Sequence, residues 1–145
     1  MLDLQHTCTV RNQEGYAAFL EFAKAYDRVS WAYMFDTLET FGFGPKFMSW
    51  VRLLYTNPLV HLRINGLKSE PIHPNRGVKQ GNPSSSLLFV LTLEALNQLL
   101  QDHEEYGIEL THDHTATTLM FADDTTLLAG RIAHLQEQLE LVNQY

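Results

Sequence analysis

Two adjacent aspartates, Asp123 and Asp124, interrupt a stretch that otherwise reads as extended chain, with Thr117 to Phe121 before them and Thr125 to Ala129 after. β-Branched and aromatic residues suit strands and aspartate does not. The pattern therefore predicts an antiparallel hairpin with Ala122-Asp123-Asp124 at its tip. Two like charges at one tight turn repel each other. A hard divalent cation takes carboxylate oxygens and removes that repulsion. Ordinary turn chemistry is the alternative, because aspartate is at home at a hairpin tip. On the pair alone both readings stay open.

Metal-assisted phosphoryl transfer needs a further carboxylate from elsewhere in the chain, since two ions ~4 Å apart clamp the attacking and leaving oxygens. The candidates are Glu21 and Asp27, near the end of the apolar run Ala17 to Phe22, which is a predicted buried strand. A carboxylate ending a buried strand is costly without a partner or an ion. The plainer reading is that Glu21 faces solvent where the strand ends.

The rest of the chain alternates strand and helix signals. Ser30 is a good N-cap for a helix from Trp31 to Phe41, closed by Gly42 and Gly44. Pro45 suits the first turn of a second helix through about Tyr55, with Phe47, Trp50, Val51 and Leu54 on one side. Leu59 to Ile64 and Leu67 to Ile72 flank Asn65-Gly66, a strong local hairpin signal. Pro74 to Pro83 reads as a loop. Ser84 or Ser85 then caps a helix from Ser86 to about Gln101, whose Leu87, Leu88, Leu91, Leu96, Leu99 and Leu100 fill a core. Residues 131–145 look like part of another helix. The sum is an α+β layer.

The net charge of −7, taken alone, argues against a nucleic-acid binder. Its distribution argues differently. Residues 24–79 hold eight of the ten basic residues against four acids, +4, while residues 80–145 hold ten acids against Arg131 alone, −9. A basic middle and an acidic end suit a protein that grips phosphates in one place and gathers metal ions in another. A solvated surface accounts for the same counts. At 145 residues and 45% hydrophobic, the expectation is one soluble domain with a real core. No apolar run approaches the ~20 residues a membrane span needs. Met1 to Val10 lacks the pattern of a signal peptide, and the single Cys8 excludes an internal disulfide. An intracellular protein is expected.

Three ordered blocks carry a resemblance: Glu21-Phe-Ala-Lys-Ala-Tyr-Asp-Arg-Val-Ser-Trp31, Arg76-Gly-Val-Lys-Gln-Gly-Asn-Pro83 and Phe121-Ala-Asp-Asp124. They resemble the reverse transcriptase domain of non-LTR (LINE-type) retrotransposons, over roughly Phe19 to Leu128. The resemblance implies the palm of an RNA-directed DNA polymerase, an antiparallel sheet packed on helices. It makes residues 1–145 a partial domain with blocks at about 19–31, 76–89 and 119–128. It implies catalytic, metal-holding carboxylates at Glu21, Asp123 and Asp124, with the main-chain carbonyl of Phe22 also within reach of a metal. The family carries an aromatic gate against the ribose 2′-hydroxyl five residues after its first ligand. That position is Tyr26 counted from Glu21 but Ala32 counted from Asp27, so register favours Glu21. Gln80 and Gly81 match the block that meets incoming nucleotide and template, and Arg76 and Lys79 approach phosphates. The implied cofactor is Mg²⁺, with Mn²⁺ as alternative. The implied partners are an RNA template, a DNA primer and deoxynucleotides, with no membrane and no implied oligomeric state. A nuclear location is expected for an active element.

The chain departs from the family pattern. Glu21 stands where the family has Asp, adding one methylene. Gln80-Gly-Asn-Pro-Ser-Ser-Ser86 stands where the family reads Gln-Gly-Asp-Pro-Leu-Ser-Pro. About twenty residues precede Glu21 and about twenty follow Asp124, so fingers and thumb are expected to be largely missing. These departures predict weak or absent activity for the chain by itself. The alternative is a non-catalytic remnant or interaction module; a small metal-binding phosphoesterase using Asp123 and Asp124 lacks a candidate nucleophile or histidine base at suggestive spacing. His112-Asp113-His114 reads as a solvated loop, Trp31 and Trp50 as core, and Cys8 as a free thiol.

Overall fold

The computed structural model describes residues 2–111 and 114–145. His112 and Asp113, and with them the loop expected there, lie outside the described residues. The expected α+β architecture is the one adopted, with antiparallel sheet and helices. The chain groups into two compact units, one made of residues up to Ala23 together with Leu93–Tyr145, the other of Lys24–Thr92. This division follows the charge. Lys24–Thr92 holds eight basic and four acidic residues, +4, and the remainder two basic and thirteen acidic, −11.

The acidic unit carries α1 (Leu2–Arg11) and a two-stranded pair of β4 (Ile108–Thr111) and β5 (His114–Ala116), and is built on a three-stranded antiparallel sheet of β1 (Tyr16–Glu21), β6 (Thr118–Phe121) and β7 (Asp124–Ala129), in the order β1-β7-β6. The strand begins one residue before the predicted Ala17 to Phe22 and ends one residue before it. Burial alternates along β1, with Ala17, Phe19 and Glu21 exposed. Ala18, Leu20, Met120, Leu127 and Ala129 turn the other way, onto Leu96 and Leu100 of α5 (Pro83–Gln101) and Leu135, Leu139 and Val142 of α6 (Ile132–Gln144). A period of two on the strands meets a period of 3.6 on the helices, and that is what buries one face of the sheet. Gln138 ties α6 to the strands. It is fully buried, and its Nε2 donates to the carbonyls of Leu128 at 3.0 Å and Thr117 at 3.4 Å.

The basic unit begins with α2 (Ala25–Arg28), α3 (Trp31–Thr40) and α4 (Pro45–Tyr55), followed by a short hairpin of β2 (Arg63–Ile64) and β3 (Leu67–Lys68) and the first turns of α5. Ser30 caps α3 as predicted, its hydroxyl accepting from the Tyr33 N–H. Asn65 and Gly66 both take positive φ, the pattern of a type I′ turn. Three local expectations fail. On α4 the buried stripe is Met48 and Val51, so Phe47, Trp50 and Leu54 flank it and stay exposed, Trp50 by 67%. On α5 the stripe runs through Leu88, Thr92, Leu96 and Leu100, which leaves Leu87 69% exposed. The α5 helix also starts at Pro83, ahead of Ser84 and Ser85. The residue that caps it is Asn82, whose Oδ1 accepts from the Ser84 N–H at 3.1 Å and hydroxyl at 2.9 Å.

Candidate active site

The register of the sheet decides where the carboxylates stand. Glu21, the last residue of β1, pairs with Asp124, the first residue of β7, and Asp124 pairs with Phe121, the last residue of β6. The hairpin tip is therefore the two-residue turn Ala122-Asp123 and not the three residues expected. Asp124 is already strand. Ala122 carries φ of +53°, a left-handed conformation that an L-residue with a Cβ adopts at a cost. Directly opposed residues on neighbouring strands share a face. Glu21 and Asp124 thus rise from the exposed face that carries Phe19 and Phe121, which are 74% and 82% exposed. Asp123 sits beside them in the turn.

All three carboxylates are exposed, and none makes a hydrogen bond or ion pair among the described residues. Like charges directly opposite on a sheet are destabilising. Among the described residues no basic side chain pairs with these. Hard oxygen donors facing one another fit a divalent cation. Among the described residues no three metal-ligating side chains gather into a complete cage. Mg²⁺ is ordinarily held by one or two carboxylates plus waters and substrate phosphates. Phe22, next along the chain, packs its half-buried ring against the core of this unit.

The remaining candidates lie in the basic unit. There the end of the first sequence block and the start of the second are stitched together. The Gly77 N–H donates to the Val29 carbonyl at 2.7 Å, the Val78 N–H to the Tyr26 carbonyl at 2.8 Å, and the Trp31 indole N–H to the Gly77 carbonyl at 2.8 Å. Gly77 has φ of +88°, and a Cβ there would lie 3.0 Å from the Asp27 carbonyl oxygen. Only glycine fits this crossing. Trp31 is thus an anchor, as its core reading required, with its ring also against Tyr55.

Tyr26 is half-buried, its ring stacked on Phe89 at 4.4 Å between centroids and 16° between planes. Phe89 was not singled out in the sequence. Its only signal was its place in an apolar helix. Lys79, Gln80 and Gly81 form an exposed turn with Gly81 at φ of +81°, and Arg76 is exposed beside the Gly77 crossing. Asp27 is exposed and belongs to the short α2.

The family described as "Reverse transcriptase (RNA-dependent DNA polymerase)" matches residues 1–145. The chain belongs to the reverse transcriptase family. Its relatives confirm the retrotransposon kinship that the three blocks imply. It is 36% identical over 125 residues to the "Retrovirus-related Pol polyprotein from type-2 retrotransposable element R2DM" of Drosophila melanogaster, covering 86% of this chain and 12% of that protein. It is 30% identical over 126 residues to the "Transposon TX1 uncharacterized 149 kDa protein" of Xenopus laevis, covering 87% of this chain and 10% of that one. The chain thus spans about a tenth of the length of these two relatives. The fold is similar to that of an apo telomerase from Candida tropicalis truncated from its C-terminal domain. The TM-score is 0.68 at 11% identity, covering 98% of this reverse transcriptase chain and 30% of the telomerase chain.

Proposed function

We propose that this reverse transcriptase chain is the nucleotidyl-transfer palm of a non-LTR retrotransposon polymerase, extending a DNA primer on an RNA template. The observation that supports it most is the pairing of Glu21 with Asp124 at the exposed end of the sheet, with Asp123 in the adjoining turn. Glu21, Asp123, Asp124 and the Phe22 carbonyl would hold Mg²⁺ or Mn²⁺. When bound, such ions lower the pKa of a primer 3′-hydroxyl and neutralise charge on a triphosphate. The protein's own part is positioning and charge compensation. Tyr26, immobilised on Phe89, bars a ribose 2′-hydroxyl. Gln80 and Gly81 meet the nucleotide and template, and Arg76 and Lys79 offset phosphate charge.

Primer extension on an RNA template with Mg²⁺ or Mn²⁺ tests this. Extension by the chain, lost on Asp123→Ala, is the expected result. Glu21→Asp withdraws one methylene and raises the rate by roughly a hundredfold if Glu21 misplaces a ligand by ~1 Å. The extra methylene of Glu21 favours a second reading, a non-catalytic module of polymerase descent. A folded Glu21→Asp chain that extends nothing would establish that second reading in place of the first.

A further inference from the structure

The basic unit holds a surface hollow of about 500 Å³ lined by Arg28, Ser30, Asn75 and Arg76. Arg28 ends α2, and Ser30 caps α3. Asn75 and Arg76 arrive from the loop before α5, brought there by the Gly77–Val29 and Trp31–Gly77 hydrogen bonds. Every lining side chain is polar. The guanidiniums of Arg28 and Arg76 and the amide of Asn75 make no hydrogen bond or ion pair among the described residues. The Ser30 hydroxyl only accepts, from Tyr33 at 3.5 Å, so its proton is unspent. Two cations converging without a counter-charge repel, and an anion resolves that. Arginine, serine and asparagine are the side chains that contact nucleic-acid phosphates. The hollow offers no aromatic ring on which a base would stack, so its chemistry reads backbone and not sequence.

We infer that the Arg28–Ser30–Asn75–Arg76 hollow is a phosphodiester-binding site for a single-stranded RNA. The inference rests on the nucleic-acid reading above. It adds Asn75, which lies outside the sequence blocks, and gives a role to Arg28 and Ser30, which the first block contains without assigning them one. The charge of the surrounding unit, +4 within a chain of −7, favours a polyanion at this face.

The test is binding of a fluorescein-labelled oligouridylate to the 145-residue chain by anisotropy, across a salt series, with divalent ions chelated. Each phosphate contact to a single strand contributes about 0.7 to the slope of log K against log salt. Arg28→Gln with Arg76→Gln should flatten that slope by about 1.4 and weaken binding roughly tenfold at ~0.1 M salt. Lys46→Gln with Lys68→Gln, the same charge loss elsewhere in the unit, should flatten it less. The Nε–H resonances of Arg28 and Arg76 should shift on adding oligouridylate. An unchanged slope in the arginine variant, or equal flattening in the lysine variant, overturns the hollow while leaving the polymerase reading to its extension assay. Shifts as large with oligoglutamate as with oligouridylate overturn it in favour of an acidic protein segment. No RNA binding by the unaltered chain removes the inference and the nucleic-acid reading together.

Discussion

Glu21 and Asp124 stand directly opposite each other on the antiparallel strands β1 and β7, both exposed and, among the described residues, neither paired with a basic side chain. The pairing joins residues from the front and back of the chain, and the alternation of burial along β1 puts both on the bare face of the sheet. A fold that places two like charges opposite each other stores repulsion there. A cation relieves it.

Glu21→Gln removes that repulsion. The variant is expected to be more stable than the unaltered chain by about 0.2–1 kcal/mol in chelator, the range for cross-strand pairs. Mn²⁺ should raise the melting temperature of the unaltered chain and leave that of the variant nearly unmoved. Thermal unfolding with and without Mn²⁺ measures both. An equal rise in the two proteins would detach Glu21 from the ion site.

Gly77→Ala should be among the most damaging single changes in the chain. The added Cβ meets the Asp27 carbonyl oxygen at 3.0 Å and the Asp27 Cα at 3.1 Å, all backbone, at a φ of +88°. The expected loss is on the order of 1–3 kcal/mol. Urea unfolding should show a lower midpoint, and the Val29 and Tyr26 carbonyl bonds to residues 77 and 78 should lose hydrogen-exchange protection.

Ala122→Gly acts in the opposite direction. At φ of +53° the alanine Cβ is a burden that glycine does not carry. A gain of about 0.5–1 kcal/mol is expected, read as a higher urea midpoint at unchanged slope. No gain would mean that the turn relaxes around the alanine.

Asn82 offers a graded test of the α5 cap. Asn82→Ala removes the acceptor for the Ser84 N–H and hydroxyl and should cost about 1 kcal/mol. Asn82→Asp keeps the acceptor and adds negative charge at a helix start, worth about 0.3–1 kcal/mol in stability. Denaturation midpoints in the order Asp, Asn, Ala check the assignment.

Much of the local structure was legible in the residues. Ser30, Pro45 and Asn65-Gly66 each act through their immediate neighbours, by a cap, a preset φ and a positive-φ turn, and each does what its chemistry predicts. The α5 start was misplaced because two serines and an asparagine are all competent caps. The choice went to the residue directly before Pro83. Trp50 and Leu87 were misread because apolar content does not say which side of a helix meets a core; that depends on what packs against it.

From its own order of residues, then, the chain determined its element types, its membership of the reverse transcriptase family and the identity of the acids at Glu21, Asp123 and Asp124. Those follow from short-range sterics, hydrogen bonding and motif spacing. Only the tertiary structure decided that Glu21 meets Asp124 and not Asp123, that Tyr26 rests on Phe89, and that Arg28 shares a hollow with Arg76. Strand register and loop crossing are settled by burying one sheet face on α5 and α6 and by the close approach at Gly77. Both arise between residues distant in sequence, where no local preference reaches.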